Sequence, residues 1–230
     1  MRREAKPILC YVTDRLALSP STTLKTSSTE GHSDDNLLAL IRRSISAGID
    51  WIQIREKDMA TRPLFELACG AVHAAQGSGT RILINDRLDV ALAACAAGVH
   101  LGEAGLPVAE VARWCRASGQ EDRALKDFLV GASCHSLAAA TQAEHGGAAY
   151  IFFGPVFMTP SKAAYGPPQG LSKLAEACRR VRIPVLAIGG ITLENAAACL
   201  DAGAAGLAAI RLFQESADLA TTVAQLRPAP

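Results

Sequence analysis

The stretch PVLAIGGI, at positions 184–191, determines how the rest of the chain is interpreted. Its apolar run is too short and too rich in branched side chains for a helix, and it ends in Gly189 and Gly190. Glycines between a strand and a helix allow backbone N–H groups to approach an anion. We therefore predict a buried strand that delivers a phosphate group to a helix N-terminus.

A parallel strand that is buried on both faces requires neighbours of the same kind, and the chain contains them. The predicted strands cover 8–13, 51–55, 81–85, 98–101, 128–133, 150–153, 184–188 and 206–210. The predicted helices lie between Asp34 and Gly48 and over 63–75, 88–97, 108–117, 137–145, 171–181, 193–202 and 217–226. Strand–helix pairs repeated without a break in composition favour an α/β fold, a single (β/α)8 TIM barrel over residues 1–230. An open doubly wound sheet is the alternative.

Length and composition limit the classes of function. The chain has 230 residues, 50% of them hydrophobic, which suits one barrel of about 250 residues with a large core. Lys and Arg number 23 against 22 Asp and Glu, so bulk charge does not select nucleic acid or a membrane surface. No apolar run approaches the ~20 residues that span a bilayer. We expect small-molecule partners, and the sequence leaves open whether the chain forms a homo-oligomer.

The seven cysteines form no C-x-x-C pair and lie mainly in apolar stretches. An odd, unpaired set in a chain without a secretory apolar segment is typical of a reducing compartment. We therefore expect a cytoplasmic protein in which cysteine acts as a small hydrophobic residue.

Residues 16–33, which follow the first strand, are rich in Ser and Thr and contain Pro20 and Gly31. This composition predicts a long mobile loop over one end of the fold.

In a TIM barrel the active site lies at the carboxyl ends of the strands, so polar residues directly after each strand are the candidates. Gln53, Arg55 and Lys57 alternate after the second strand, and period-two spacing sends all three to one side. An amide and two cations suit a diphosphate and a hydrogen-bonding ring. The alternative is a solvated charged loop, but that explains Gln53 poorly within the apolar run WIQI.

The third and fifth strands are followed by further candidates. Asn85 and Asp86 have oxygen atoms suited to a ring amine and a magnesium ion, or they form an ordinary Asx helix cap. Ser133 and His135 offer a hydroxyl and a proton carrier, although a single histidine is more often structural.

The sixth, seventh and eighth strands complete the predicted site. The sixth-strand loop supplies hydroxyls and a cation in a proline-stiffened segment, or is simply a surface turn. Its candidates are Thr159, Pro160, Ser161 and Lys162. Gly189 and Gly190, with the backbone near Ile210 and Arg211, occupy the phosphate position common in these barrels, with tight packing as the alternative role of the glycines.

Six short motifs in order carry a family resemblance over nearly the whole chain. They are YVTD at 11–14, QIREK at 53–57, NDR at 85–87, GVHLG at 98–102, GPVFMTPSK at 154–162 and AIGGI at 187–191. With these motifs the chain resembles the thiamine phosphate synthases and their sister group, the thiazole tautomerases.

The resemblance implies roles for individual residues. The aminopyrimidine diphosphate would be held by Gln53, Arg55, Lys57, Asn85, Ser133 and Lys162. Residues 159–161 with Gly190 would hold the thiazole phosphate, and Asp86 would bind Mg²⁺. It also implies a reaction in which Mg²⁺ and the cations stabilise the departing pyrophosphate, and the thiazole nitrogen captures a pyrimidine methylene carbocation. No protein nucleophile is needed.

Two positions depart from the synthase pattern. The second magnesium carboxylate of the family belongs where this chain has Gly105, and Glu103 is a carboxylate two residues earlier that would have to reach the ion instead. The phosphate-binding serine of the last strand is replaced by Arg211, which is itself suited to phosphate.

Three functions therefore remain in view. The surviving pyrimidine diphosphate residues favour a synthase. Gly105 and His135 suit a tautomerase, in which the histidine is an acid or base and no metal carboxylates are needed. A non-catalytic thiazole phosphate binding protein is the third.

Overall fold

The computed structural model of the chain describes residues 6–18, 32–119, 123–159 and 167–227. Eight parallel strands close into a barrel in which each strand pairs with the next and β8 pairs with β1. The strands are β1 (Ile8–Val12), β2 (Trp51–Ile54), β3 (Arg81–Asn85), β4 (Gly98–Leu101), β5 (Leu129–Cys134), β6 (Tyr150–Phe153), β7 (Val185–Ile188) and β8 (Gly206–Ala209). The predicted TIM barrel is confirmed, and the open sheet is excluded.

Helices surround the barrel and alternate with the strands. They are α1 (His32–Ser46), α2 (Thr61–Ala75), α3 (Leu88–Ala93), α4 (Val108–Ser118), α5 (Arg123–Lys126), α6 (Leu137–His145), α7 (Gly170–Arg180), α8 (Leu193–Asp201), α9 (Arg211–Gln214) and α10 (Leu219–Gln225). Side chains cap α6, α8 and α10. Ser136 Oγ accepts the Ala139 N–H before α6, and Asp218 Oδ1 accepts the Thr221 N–H before α10. At the start of α8, Asn195 Oδ1 accepts the Thr192 N–H as part of a capping box.

Several helix boundaries differ from the sequence prediction. Helix α3 ends at Ala93 instead of residue 97, and Cys95 has a left-handed φ of 53° that does not continue a helix. The short helices α5 and α9 were not predicted, because four residues are too few to show a helical period. Helix α1 begins at His32, two residues before the predicted cap Asp34.

The predicted mobile loop at 16–33 is only partly covered. Its first residues belong to a 3₁₀ turn at Arg15–Ala17, which Asp14 caps by accepting the Ala17 N–H. Residues 19–31 lie outside the described part of the chain, so the mobility of this loop stays a prediction.

The strands separate two apolar layers by their period of two. Cys10 and Val12 of β1 face the barrel interior, whereas Leu9 and Tyr11 face the surrounding helices. The interior cluster contains Cys10, Val12, Leu83, Tyr150, Phe152, Leu186 and Ala208. No helix within the described residues is long and apolar enough to cross a membrane.

Candidate active site

Polar side chains gather in the barrel interior near the carboxyl ends of β2 to β5. Gln53, Asn85, His100 and Ser133 come from these four consecutive strands, and Asn85 lies opposite His100 in the β3–β4 register. Gln53 and His100 are each only 1% exposed. Buried polar groups are costly unless they are hydrogen-bonded, so their partners define the site.

Gln53, Asn85 and Asp86 form one directional chain of hydrogen bonds. Gln53 Nε2 donates to Asn85 Oδ1 at 2.8 Å, and Asn85 Nδ2 donates to Asp86 Oδ2 at 2.7 Å. The carboxylate can only accept, so it orients both amides. Gln53 Oε1 has no hydrogen-bond partner among the described residues and remains available to a ligand N–H.

Asp86 is held in an unusual backbone conformation at the end of β3. Its φ is 57°, in the left-handed region that non-glycine residues rarely adopt, and its Oδ1 accepts the Gly102 N–H at 2.7 Å. The alternative of an Asx helix cap is wrong, because α3 has Arg87 as its N-cap and no side-chain cap hydrogen bond. The conformation instead aims the carboxylate at the loop that follows β4.

The backbone at Gly105 directly adjoins this carboxylate. A Cβ added to Gly105 would lie 2.8 Å from Asp86 Oδ1, closer than side chains approach. Position 105 is therefore beside Asp86, where the resemblance places a second carboxylate, and glycine permits the close approach. Glu103 Oε1 accepts the His135 N–H at 3.2 Å, so this oxygen is already engaged with β5 and its following loop.

These contacts limit how a magnesium ion could be held. No three His, Cys, Asp or Glu side chains within the described ranges come together as a metal site. A protein-only Mg²⁺ cage therefore does not fit. Magnesium is commonly held by one or two carboxylates together with substrate phosphates, and Asp86 fits an ion that arrives with a diphosphate.

The loop that carries Arg55 and Lys57 is anchored by a buried carboxylate. Strand β2 ends at Ile54, so both cations lie beyond it; Arg55 is half-buried and Lys57 is exposed. Between them Glu56 is only 5% exposed, and it accepts hydrogen bonds from the Thr13 hydroxyl and the Arg15 N–H.

Sequence reasoning missed Glu56 and Thr13 as site residues. Thr13 Oγ1 also accepts the Arg55 N–H at 3.0 Å, which ties the loop to the end of β1. The guanidinium of Arg15 lies 3.5 Å from Glu56 and pairs with Asp58. The available signal was an acidic residue between the two cations of the motif REK. A carboxylate does not help to bind a phosphate, so its presence there indicates a structural role.

Ser133 lies at the end of a second hydrogen-bonded group. His100 Nε2 lies 3.0 Å from Ser133 Oγ, and His100 Nδ1 lies 3.0 Å from the Tyr150 hydroxyl. Burial, and secondarily the charge of Arg55, lower the pKa of His100 to about 3, so its ring is neutral at physiological pH. His100 and Tyr150 were not predicted, although His100 interrupts the apolar run GVHL in the same way that Gln53 interrupts WIQI.

His135 is half-buried beside the sixth-strand loop. Its Nδ1 contacts the carbonyl oxygen of Gly154, which can only accept, so Nδ1 carries a proton. Nε2 has no hydrogen-bond partner among the described residues. A proton-carrier role for His135 stays a prediction.

The glycine turn after β7 packs tightly against the loop after β6. A Cβ on Gly190, whose φ is +67°, would lie 2.8 Å from Met158 O, and one on Gly189 would lie 2.6 Å from Pro155 Cα. Tight packing is thus one role of these glycines. Thr159 is buried in the same region, and its Oγ1 has no hydrogen-bond partner among the described residues.

The remaining predicted phosphate residues lie around this turn. Ile210 is half-buried, and Arg211 is exposed at the start of α9. Asn195 fixes the turn by donating from Nδ2 to Gly190 O at 2.9 Å. Pro160, Ser161 and Lys162 lie outside the described residues, so their predicted roles stay predictions.

Fold and site together define the class of protein. It is a (β/α)8 barrel with polar groups at the carboxyl ends of the strands, where enzymes of this fold carry out catalysis. The family model for thiamine monophosphate synthase matches residues 26–213. The chain belongs to the thiamine monophosphate synthase family.

Individual relatives agree with this membership. A putative thiamine-phosphate synthase of Geobacter sulfurreducens is 47% identical over 175 residues, 76% of this chain and 78% of the relative. A thiamine-phosphate synthase of Methanocella arvoryzae is 42% identical over 188 residues, 82% of this chain and 84% of the relative. The solved thiamine phosphate pyrophosphorylase of Pyrococcus furiosus superposes with a TM-score of 0.74 at 30% identity, covering 95% of this chain and 93% of that one.

Proposed function

We propose that this chain is a thiamine-phosphate synthase, a transferase. It joins 4-amino-2-methyl-5-hydroxymethylpyrimidine diphosphate to thiazole phosphate and releases pyrophosphate. The observation that carries this proposal is the series of hydrogen bonds that links Asp86, Asn85 and Gln53. It occurs here in a protein of the thiamine monophosphate synthase family. It leaves the Gln53 carbonyl oxygen as an acceptor for the 4-amino group.

The pyrimidine diphosphate is then bound by groups from β2, β3 and β5. Arg55 and Lys57 neutralise its phosphates from the loop that Glu56 anchors, and Ser133 contacts the ring. Lys162 contributes a further cation to the leaving pyrophosphate. These cations stabilise the transition state in which negative charge builds up on the leaving group.

The thiazole phosphate occupies the other side of the site. Backbone N–H groups near Gly189, Gly190 and Ile210 receive the phosphate, with Thr159 and Arg211 beside it. The resemblance implies that Ser161 also contributes its hydroxyl group. The buried hydroxyl of Thr159 has no hydrogen-bond partner among the described residues, which supports this placement because a ligand oxygen would satisfy it.

Magnesium enters this proposal with the substrate. Bound to Asp86 and the diphosphate, Mg²⁺ would offset the charge of the departing pyrophosphate. We also place the enzyme in the cytoplasm, where its seven free cysteines would stay reduced.

The test is incubation of the pure protein with both phosphorylated precursors, with and without magnesium. Thiamine phosphate formed only with magnesium is the expected result. Absence of product under both conditions contradicts the proposal. Binding of thiazole phosphate without any turnover would point to a non-catalytic binding protein.

Thiazole tautomerase is the second candidate, and His135 favours it. Its Nδ1 is committed to Gly154 O, which leaves Nε2 positioned as a general base. Isomerisation of thiazole carboxylate phosphate, abolished in His135→Ala and independent of magnesium, would establish this activity instead.

A further inference from the structure

Tyr150 lies across the barrel interior with its hydroxyl group fully buried. Tyr150 is 0% exposed, and the centroid of its ring lies 4.7 Å from the ring centroid of Trp51. Gly131 on β5 makes room for it, since any Cβ there would collide with the phenol ring. The sequence therefore provides a specific space for this ring and its hydroxyl.

The Tyr150 hydroxyl has one hydrogen-bond partner among the described residues, His100 Nδ1 at 3.0 Å. A buried O–H that donates to nothing leaves a polar group unsatisfied, so the phenol must donate to that nitrogen. His100 Nδ1 is then an unprotonated acceptor. In a neutral imidazole the single proton is consequently on Nε2.

The direction of the next hydrogen bond follows. His100 Nε2–H donates to Ser133 Oγ at 3.0 Å, so the serine oxygen accepts and its own proton is left for another acceptor. The reverse direction would leave the Tyr150 O–H without an acceptor. A doubly protonated ring would also leave the Tyr150 O–H without an acceptor.

We propose that Tyr150 and His100 form a one-way hydrogen-bond relay that holds the Ser133 hydroxyl as a donor to the pyrimidine ring of the substrate. This inference rests on the proposed function for the identity of that ring. His100 and Tyr150 are positioning residues, because they act through Ser133.

The relay complements the chain that ends at Gln53. Gln53 presents a carbonyl oxygen and Ser133 presents an O–H, so the same site offers one acceptor and one donor. A 4-aminopyrimidine has the opposite pair, an amino group that donates and ring nitrogens that accept. The two hydrogen-bonded groups thus select an aminopyrimidine over a pyrimidinone, whose exocyclic oxygen would face the Gln53 oxygen.

The first test reads the histidine tautomer without any turnover. Nitrogen-15 NMR of the imidazole side chains, with the His100 signals assigned by their loss in His100→Gln, should show Nε2 protonated and Nδ1 unprotonated. A proton on Nδ1, or on both nitrogens, overturns the relay. This result is independent of whether the protein makes thiamine phosphate, so failure of the proposed function is distinguishable from failure of the relay.

The second test is a double-mutant cycle on kcat/KM for the pyrimidine diphosphate. Tyr150→Phe keeps the ring and should lower kcat/KM about threefold to tenfold, mainly through KM for this substrate, with KM for thiazole phosphate unchanged. In a Ser133→Ala background the same change should cost less than about twofold, because the relay has lost its target. Equal losses in both backgrounds overturn the proposal.

Tyr11→Phe provides the matched control. It removes another buried phenol hydroxyl, which donates to Gln214 at 2.9 Å on the outer side of the sheet. Whatever its own effect, it should combine with Ser133→Ala multiplicatively and leave the His100 tautomer unchanged. Coupling between Tyr11 and Ser133 as strong as that of Tyr150 would show a general packing effect and overturn the relay.

Discussion

The β2–β6 side of the barrel and the turns after β7 and β8 are built differently: the first is held by side-chain hydrogen bonds and the second by close backbone packing. On the first side, buried side chains such as Gln53 and His100 are fixed by directional hydrogen bonds. On the second side, Gly189 and Gly190 adopt left-handed φ angles of 96° and 67°. These angles and the missing Cβ atoms allow the turn to pack directly against the loop after β6. We call these the side-chain half and the glycine half.

The side-chain half therefore recognises ligand groups by hydrogen bonds, whereas the glycine half fixes the shape of the loops around a ligand. In the side-chain half, a polar substitution can replace a hydrogen-bond donor by an acceptor without changing the fold, so it should alter ligand binding and leave stability largely unchanged. In the glycine half any added side chain moves the loop itself, because it meets the backbone of residues 155–158. Substitutions in the two halves should therefore affect different substrates and different parameters.

The largest effect is expected for Asp86→Asn in the side-chain half. Asparagine tolerates the left-handed φ of 57° but removes the charge that orients Asn85 and would hold the metal. Steady-state assays should show kcat lower by on the order of a hundredfold. Asp89→Asn, which removes an exposed carboxylate paired with Arg87, is the control and should retain activity. Comparable losses in both variants would contradict a special role for Asp86.

The buried histidine of the side-chain half should make folding sensitive to acid. His100 has a pKa of about 3 when folded against 6.5 as the ordinary value, so below pH 6.5 only the unfolded chain takes up this proton. The free energy of unfolding should fall as pH falls through this window, by about 2 kcal/mol from this group between pH 7 and 5. Urea unfolding at both pH values should show that loss in the native chain but not in His100→Gln. If the free energy of unfolding falls equally with pH in both proteins, His100 is not the source of the acid sensitivity.

In the glycine half, Gly190→Ala should raise KM for thiazole phosphate about tenfold. The added methyl group lies 2.8 Å from both Met158 O and Phe157 Cβ, so the loop must move. Gly77→Ala is the matched control, since Gly77 has a similar φ of +75° but nothing within 4 Å of the added Cβ. Backbone strain alone should cost both variants about 1 kcal/mol of stability. Only Gly190→Ala should weaken binding.

A smaller effect is expected for Glu56→Gln beneath the cationic loop. Thr13 and Arg15 donate to different oxygens of Glu56, and glutamine replaces one of these oxygens with an NH2 group that cannot accept, so one contact is lost and Arg55 and Lys57 are held less firmly. We expect kcat/KM for the pyrimidine diphosphate to fall about fivefold. Glu66→Gln removes an exposed carboxylate paired with Arg62 and serves as the control. An unchanged kcat/KM would mean that the loop keeps its position without this anchor.

The smallest effect is expected for Arg211→Ser in the glycine half. Arg211 is exposed, and exposed charges contribute little and are screened by salt. KM for thiazole phosphate should rise about twofold at low ionic strength and converge with the native value at high salt. A large, salt-independent rise would instead identify a buried contact with the phosphate.

The fold was predictable because its signals repeat along the sequence. Short apolar strands followed by helical periods gave the closed barrel, and only brief elements such as α5 and α9 escaped notice. The site was predictable only in part. Gln53 stands out as a polar residue in an apolar strand, and Asn85 and Asp86 follow directly after a strand.

The contacts of the supporting residues could not be predicted, because their partners are distant in sequence. Tyr150 meets His100 across 50 positions, and Thr13 meets Glu56 across 43. The pattern within a single strand does not show that Tyr150 occupies the space left by Gly131, or that Glu56 accepts a hydrogen bond from Thr13. Such relationships depend on the barrel register, which only the three-dimensional structure reveals.

The central claim is that the two halves hold different substrates, and calorimetric titration tests it most directly. Native protein, Asp86→Asn and Gly190→Ala would each be titrated with the pyrimidine diphosphate plus magnesium and, separately, with thiazole phosphate. We expect Asp86→Asn to weaken binding of the pyrimidine diphosphate alone and Gly190→Ala to weaken binding of thiazole phosphate alone. If each variant weakens both ligands equally, the division of the site between the two halves is wrong.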